Sequence, residues 1–122
     1  MAIVTLQNKN HPLPTRLQAI YCNSFLCRLR GLTFRRHLDT SEGLLLVESR
    51  DSRLDASIHM LFVFMDLGVI WINSKNEVVD TVLARSWRLA YAPQAAAKYV
   101  LEIHPDRMGE FQIGDLVEFN HA

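Results

Sequence analysis

The stretch Ser57–Asn73, SIHMLFVFMDLGVIWIN, is almost wholly apolar yet holds one histidine and one aspartate. It can be read as a membrane segment, as a catalytic pair in an apolar pocket, or as core strands with a turn between them. The apolar run from Ile58 to Ile72 falls short of the ~20 residues a helix needs to cross a bilayer, and Asp66 and Gly68 interrupt it. Phe, Val, Ile and Trp dominate it, which favours a pleated backbone, and apolar residues on both faces call for strands covered on both sides. MDLG, Met65–Gly68, supplies a bend between two extended halves. Extended backbone sets His59 and Asp66 roughly 23 Å apart, beyond hydrogen-bond reach. His59 is expected at a strand start with its ring bonded to backbone or water, and Asp66 in a turn where nearby amides satisfy it.

Working outward, NSKNE, Asn73–Glu77, reads as a hairpin loop joining Val69–Ile72 to an antiparallel strand Val78–Leu83. Upstream, GLLLVE, Gly43–Glu48, is a short buried strand, and SRDSRLDAS, Ser49–Ser57, is a solvated loop. Ile3, Val4 and Leu6 start a first strand that the proline-bearing run QNKNHPLP ends, and Leu17–Cys22 is extended again. Asn23 or Ser24 caps a short helix through Leu29, because either side chain can accept from an unpaired first-turn amide, and Gly31 stops it. Downstream, Pro93 opens a second short helix through QAAAKY. Val100–Ile103 is a strand, HPDRMGEFQIGD turns the chain, and Leu116–Phe119 is the last strand. Many short strands with frequent turns and two small helices predict a mainly β domain, α+β by content, built as a compact antiparallel β-sandwich or barrel.

At 122 residues and 49% hydrophobic content the chain fits a single domain, residues 1–122, with one core. Its 13 basic and 13 acidic residues cancel, so no global field draws it toward nucleic acid or an anionic membrane. The start, MAIVTLQNKNHPLP, lacks the basic and apolar regions of a secretory signal, which predicts a cytoplasmic protein. Cys22 and Cys27 are then expected as reduced thiols, packed as small apolar side chains.

Chemistry-bearing patterns are sparse. His11, His37, His59, His104 and His121 show no short pairing with one another or with a cysteine, and the two cysteines lack a second pair, so no metal is expected. Phosphate-cradling glycine motifs and dinucleotide fingerprints are absent, and no cofactor is expected. The best local signal is RLRGLTFRRH, where Arg28, Arg30, Arg35, Arg36 and His37 cluster without an acid between them. Guanidinium groups suit carboxylate or phosphate, so this cluster is a candidate site for an anionic small molecule or an acidic protein surface. The competing reading pairs it with Asp39, Glu42, Glu48 and Asp51 on a solvated face. Arg85, Trp87 and Arg88 form a second candidate, a flat ring beside two cations, against a tryptophan that merely packs over the core edge. The two groups gain weight if the fold brings them together.

Several stretches resemble one family. GLTFR, Gly31–Arg35, is similar to the GLMFR signature of domain of unknown function 192. GLLLV, Gly43–Val47, matches that family's GMLFV, and IHMLFVFMDLGVIWIN parallels its IHxFxMRFPIDVxFLD without a gap. SWRLAYAPQAAAKYVLEI resembles its PWR, helix and VLEL. The resemblance runs from about Leu17 to Phe119 and implies a jelly-roll-like β sandwich with one or two short helices and no settled activity. Phe64, Asp66 and Gly68 stand where the pattern has arginine, proline and aspartate, so the family's polar pair at these positions is missing. His104, Pro105 and Asp106 likewise replace a glycine-bearing LPAG turn. The combined expectation is a non-enzymatic binding or interaction domain working through the arginine-rich segment, with no nucleic acid partner and no membrane span. A small hydrolase or isomerase with a site assembled from distant residues, and a structural homodimer joined through an exposed strand, are the alternatives.

Overall fold

A computed structural model describes residues 2–33 and 35–121; Phe34 of the GLTFR stretch lies outside the described residues. The elements in chain order are β1 (Ile3–Asn8), β2 (Gln18–Cys22), α1 (Phe25–Arg30), β3 (Glu42–Ser52), β4 (Leu67–Ile72), β5 (Val78–Ala84), β6 (Ala97–Ile103), a 3-10 helix (Pro105–Glu110) and β7 (Val117–His121). All seven strands form one sheet in the order β5-β4-β6-β3-β2-β1-β7. Every pairing is antiparallel except β2 with β3. That pair is parallel because α1 and the loop after it carry the chain back across the sheet, the crossover that parallel neighbours require.

The mainly β expectation holds, as one rolled sheet with two short helices and not as a closed barrel. The outermost strands are stitched at one end only. Val78 N–H donates to Asp115 O at 2.9 Å, and Gly114 N–H donates to Val78 O at 2.8 Å. Asp115 locks this corner: Asn8 Nδ2 and the Gln112 N–H donate to its Oδ2 at 2.8 and 2.9 Å, and His11 Nδ1 lies 2.9 Å from Oδ1. Buried Arg107 holds the other end, donating to Glu110 and to the carbonyls of Thr15, Arg16 and Thr40.

Alternation along the strands divides the apolar residues between two cores. Val4, Leu45, Ile70, Leu101 and Val117 line the concave face. Leu44, Leu46, Val69, Trp71 and Val100 line the convex face. All six residues of β4 are buried, so both faces need a cover. The convex face gets one from Leu32, Leu38, Ala56, Ile58, Met60 and Val63.

This arrangement corrects four expectations. The upstream half of SIHMLFVFMDLGVIWIN is not a strand: only Ile58 pairs, in a single bridge with Tyr91. Its Ile58, Met60 and Val63 side chains lie down on the sheet, and Trp71 Nε1 donates to Ala56 O at 2.8 Å to fasten the segment there. The extended backbone expected to separate His59 from Asp66 is therefore absent, but Asp66 is engaged elsewhere: it accepts from the Ser86 N–H at 2.8 Å, as expected of a loop carboxylate. The helix after Pro93 is absent as well. QAAAKY instead feeds β6 from Ala97, because β6 must pair with β3 on one side and β4 on the other, and that ladder outweighs alanine's helix preference. The second helix is the 3-10 segment, where His104 Nδ1 accepts from the Asp106 N–H at 3.0 Å. Residues Ser49–Ser52 of the expected loop extend β3.

Finally, Cys22 and Cys27 form a disulfide, with Cα atoms 5.6 Å apart, and are not reduced thiols. The cap on Ser24 turns the chain so that the first turn of α1 faces the end of β2, which brings the two sulfurs together. A cytoplasmic location predicts reduced thiols, and the disulfide lends that location no support, since such bonds persist mainly in oxidising compartments. No helix among the described residues is long and apolar enough to cross a membrane.

The bond is checkable by alkylation of the denatured protein: no thiol should react before a reductant is added and two should react afterwards. Replacing both cysteines by alanine is expected to cost up to about 2 kcal/mol, the closure entropy of so short a loop, read from urea unfolding. Two reactive thiols without reductant would show the bond to be absent.

Candidate functional site

α1 buries none of its residues. Phe25, Leu26 and Leu29 face solvent, while Arg28 turns toward the sheet. Its Nη1 donates to Asn23 O at 2.7 Å and to Val47 O at 3.3 Å, and its Nε lies 3.4 Å from Glu48 Oε2. Arg35 donates to His37 O at 3.1 Å and lies 3.5 Å from Glu42, and His37 Nε2 is 2.7 Å from Asp39 Oδ1. Three of the four acids named from sequence thus pair inside the cluster. Asp51 does not; it accepts from Ser74 N–H and Oγ across the sheet end. The side chains of Arg30 and Arg88 make no ion pair or hydrogen bond among the described residues.

The two cationic groups meet at one point. The Arg36 guanidinium lies over the Phe64 ring, 4.8 Å from its centroid, and that ring meets Trp87 edge-on at 5.6 Å. Phe62 meets the same tryptophan at 5.0 Å. Trp87 is 47% exposed, with Leu89 and Arg88 beside it. Arg85 is tied to Asp66 at 3.2 Å. Phe62 and Trp87 both sit in the left-handed backbone region, at φ 61° and 68°. That region costs a bulky residue on the order of 1–3 kcal/mol, so neighbouring bonds must enforce it. They do: Trp87 N–H donates to Met60 O and Met60 N–H donates to Arg88 O, both at 2.9 Å, and Ser86 Oγ donates to Val63 O.

Across the same segment lies a cleft of about 300 Å³ between α1 with the Gly31–Leu32 turn and residues 55–63, floored by β3 and β6. Glu102 stands in its floor. In β6 this residue pairs with Leu44 of β3 and Val69 of β4, and it is only 5% exposed. Its Oε1 has no hydrogen-bond partner among the described residues. Gly31, with φ 52°, forms the wall above it: a Cβ there would stand 4.0 Å from Oε1. Burial pushes the Glu102 carboxyl from the ordinary 4.5 up to about 7. Glu48 is also raised by burial, an effect opposed by Arg28 and reinforced by Asp55. Asp55, Ser57 and His59 stand on the rim.

Sequence reasoning named Arg36, Trp87 and Arg88 but missed the two phenylalanines that join them, and it missed Glu102. Glu102 did leave a signal: within YVLEI, Tyr99–Ile103, it is the lone charged residue. Phe62 and Phe64 left none, because their exposure follows from backbone dihedrals that no periodicity encodes.

A single rolled sheet with a covered convex face defines a small mainly β class of domain. The chain belongs to the DUF192 family, described as "Uncharacterized ACR", whose model matches residues 4–119. It is 38% identical over 99 residues to UPF0127 protein TK1120 of Thermococcus kodakarensis, covering 80% of this chain and 61% of that protein. Over 108 residues it is 34% identical to UPF0127 protein PF1050 of Pyrococcus furiosus, covering 86% and 89%. The chain thus spans about three fifths of the Thermococcus proteins it matches. Its fold is also that of a protein of unknown function from Novosphingobium aromaticivorans, with TM-score 0.77, 21% identity, and 95% and 83% of the two chains covered. A Sinorhizobium meliloti protein described as a candidate transcription regulator superposes with TM-score 0.81 at 20% identity, covering 97% and 92%. At these identities the two structures show a shared fold.

The Glu102 carboxyl makes stability depend on pH in a defined direction. Below its ordinary range it is protonated in both the folded and the unfolded chain. As pH rises from about 4.5 to about 7 the unfolded chain releases the proton first, so stability is lost across that window, on the order of 3 kcal/mol in total. Asp115 acts in the opposite sense: burial would raise it, but bonds from Asn8, the Gln112 N–H and His11 outweigh that and hold it low, so its stabilisation is lost on acidification. Urea unfolding of wild type and Glu102→Gln across this range should show a markedly steeper falling limb in wild type, the remainder in the variant coming from Glu48. Parallel curves would show that Glu102 titrates normally.

Proposed function

We propose that this chain is a non-enzymatic binding domain that docks an acidic protein segment on the face formed by Arg36, Phe64, Trp87, Phe62 and Arg88. The observation that carries this reading is the placing of Arg36 over Phe64 and the edge-on contact of Phe64 with Trp87, with Phe62 and Trp87 held outward by strained backbone. Strain of this kind persists where the surroundings enforce it, and it accumulates at sites that use the exposed group. Neither Arg36 nor Arg88 has a carboxylate partner among the described residues, so both retain charge for an incoming acid. Arg28 and Arg35 act as ties within the fold, and Arg30, His37 and Arg85 flank the face at its edges. Exposed rings beside unpaired guanidinium groups favour a partner with acidic side chains interleaved with an apolar one.

The probe is a short peptide of glutamates around one phenylalanine, followed by amide NMR. Saturable shifts at Trp87, Arg88 and Arg36, weakening with added salt, are expected. Arg36→Ala combined with Arg88→Ala should weaken binding about tenfold or more, with the unfolding midpoint unchanged. Binding undiminished in that variant would overturn the assignment of these residues.

A further inference from the structure

Glu102 is at odds with its surroundings. It sits on one of the central strands of the sheet, between Leu44 and Val69, where a leucine or valine would fill the space without loss. The position instead holds a carboxyl, nine-tenths buried in the floor of the cleft, with Oε1 unpartnered among the described residues and covered by Gly31. A buried acceptor left unpaired costs about 1–3 kcal/mol, so the group lacks a donor that the described residues do not supply.

We propose that the cleft over Glu102 binds a small organic ammonium ion, the nitrogen donating to the Glu102 carboxylate and the apolar body lying on Leu32, Leu46, Val63 and Val100. The charges that face the cleft select this class. From β3 and α1 come Glu48 and Arg28, bonded to each other; from the rim segment come Asp55 and His59; from the end of α1 comes Arg30. Arg28 is engaged by Glu48 and Arg30 stands at the end of α1, so the charge in the floor is the Glu102 carboxylate, which once ionised favours a cation over an anion. A metal ion needs several oxygen or nitrogen ligands converging on one point, and no such group of three occurs among the described residues. An ammonium ion needs only one charged acceptor and an apolar wall, and a charge-assisted bond to a buried carboxylate is the strong form of that contact. The volume, about 300 Å³, suits a small ligand. Gly31 roofs the carboxyl closely: a Cβ there would stand 4.0 Å from Oε1, so a larger residue at this position would crowd the floor of the cleft.

Binding of the cation requires the ionised carboxylate, so the ligand must displace the proton that burial retains near neutral pH. Affinity therefore rises with pH and levels off once Glu102 is ionised in the empty cleft. The test is an amide NMR titration of the full chain with benzylammonium, ethylammonium, benzyl alcohol and benzoate. Either ammonium probe should shift Glu102, Leu46 and Val63 saturably, bind on the order of tenfold more tightly at about pH 8 than at about pH 5.5, and outbind the alcohol by a similar factor. Glu102→Gln should erase both the pH slope and the preference for the amine, while His59→Gln should keep both. Equal binding of alcohol and amine, a preference for benzoate, retention of the slope in Glu102→Gln, or no saturable shift at these amides with either ammonium probe would each overturn the proposal. The first, second and last of these need only the wild-type chain, so the test stands even where the glutamine variant folds poorly.

Discussion

Strand β4 has no exposed residue, and the structure is organised around what that demands. A sheet that is apolar on both faces in its central strands must find two covers from one short chain. The concave face solves this by rolling, so that β1 and β7 come round to close over Ile70 and Leu101. The convex face cannot be covered by the sheet itself. It takes the loops instead: the turn after α1, the segment from Ala56 to Val63, and the stretch through Tyr91. Both candidate sites lie along that second cover.

The same constraint explains two departures from the family pattern. At position 68 the pattern has an aspartate, and here a glycine faces the 3-10 helix so closely that a Cβ would approach Met108 Cβ within 2.9 Å. His104 caps that helix and Pro105 opens it, so it brings Met108 over the strand at the point where Gly68 leaves room for it. At position 64 an arginine is replaced by phenylalanine, and the charge there is supplied from above by Arg36. The polar pair of the pattern has thus been exchanged for an aromatic and a guanidinium from another part of the chain.

Residue types alone sufficed for β1, β2, the β4–β5 hairpin, the core of β3 and β7, and for the capped helix at Ser24, because each of those segments carries its own pattern. They failed where the outcome depends on a neighbour. Residues 58–66 have strand composition, but their apolar side chains serve as a cover, and composition does not separate a strand in a sheet from a segment lying on one. Ala95–Ala97 favour a helix in isolation, and only the presence of two flanking strands makes β6 longer. Cys22 and Cys27 meet because α1 folds back on β2, a tertiary fact that the thiols' spacing does not contain. The arginine cluster was legible as a cluster, and its division into ties, Arg28 and Arg35, and unpaired charges, Arg30, Arg36 and Arg88, was not.

The cover over the convex face is also the reason the cleft and the cationic face are parts of one body. Residues 58–63 are fixed from outside by backbone bonds to 87–91: Ile58 with Tyr91, and Met60 with both Trp87 and Arg88. They are fixed from inside by Ala56, Ile58, Met60 and Val63, all buried on the sheet. His59 and Val63 border the cleft, and Phe62 and Phe64 point to the other side. With backbone bonds on one side and apolar contacts on the other, the segment has little freedom to tilt one set of side chains without the other. The left-handed dihedrals at Phe62 and Trp87 follow from this double anchorage: a chain held at both Met60 and Val63 reverses over Leu61 and Phe62, and the tighter reversal places a bulky residue where glycine would be easier. The aromatic face is therefore a product of the way the core is covered.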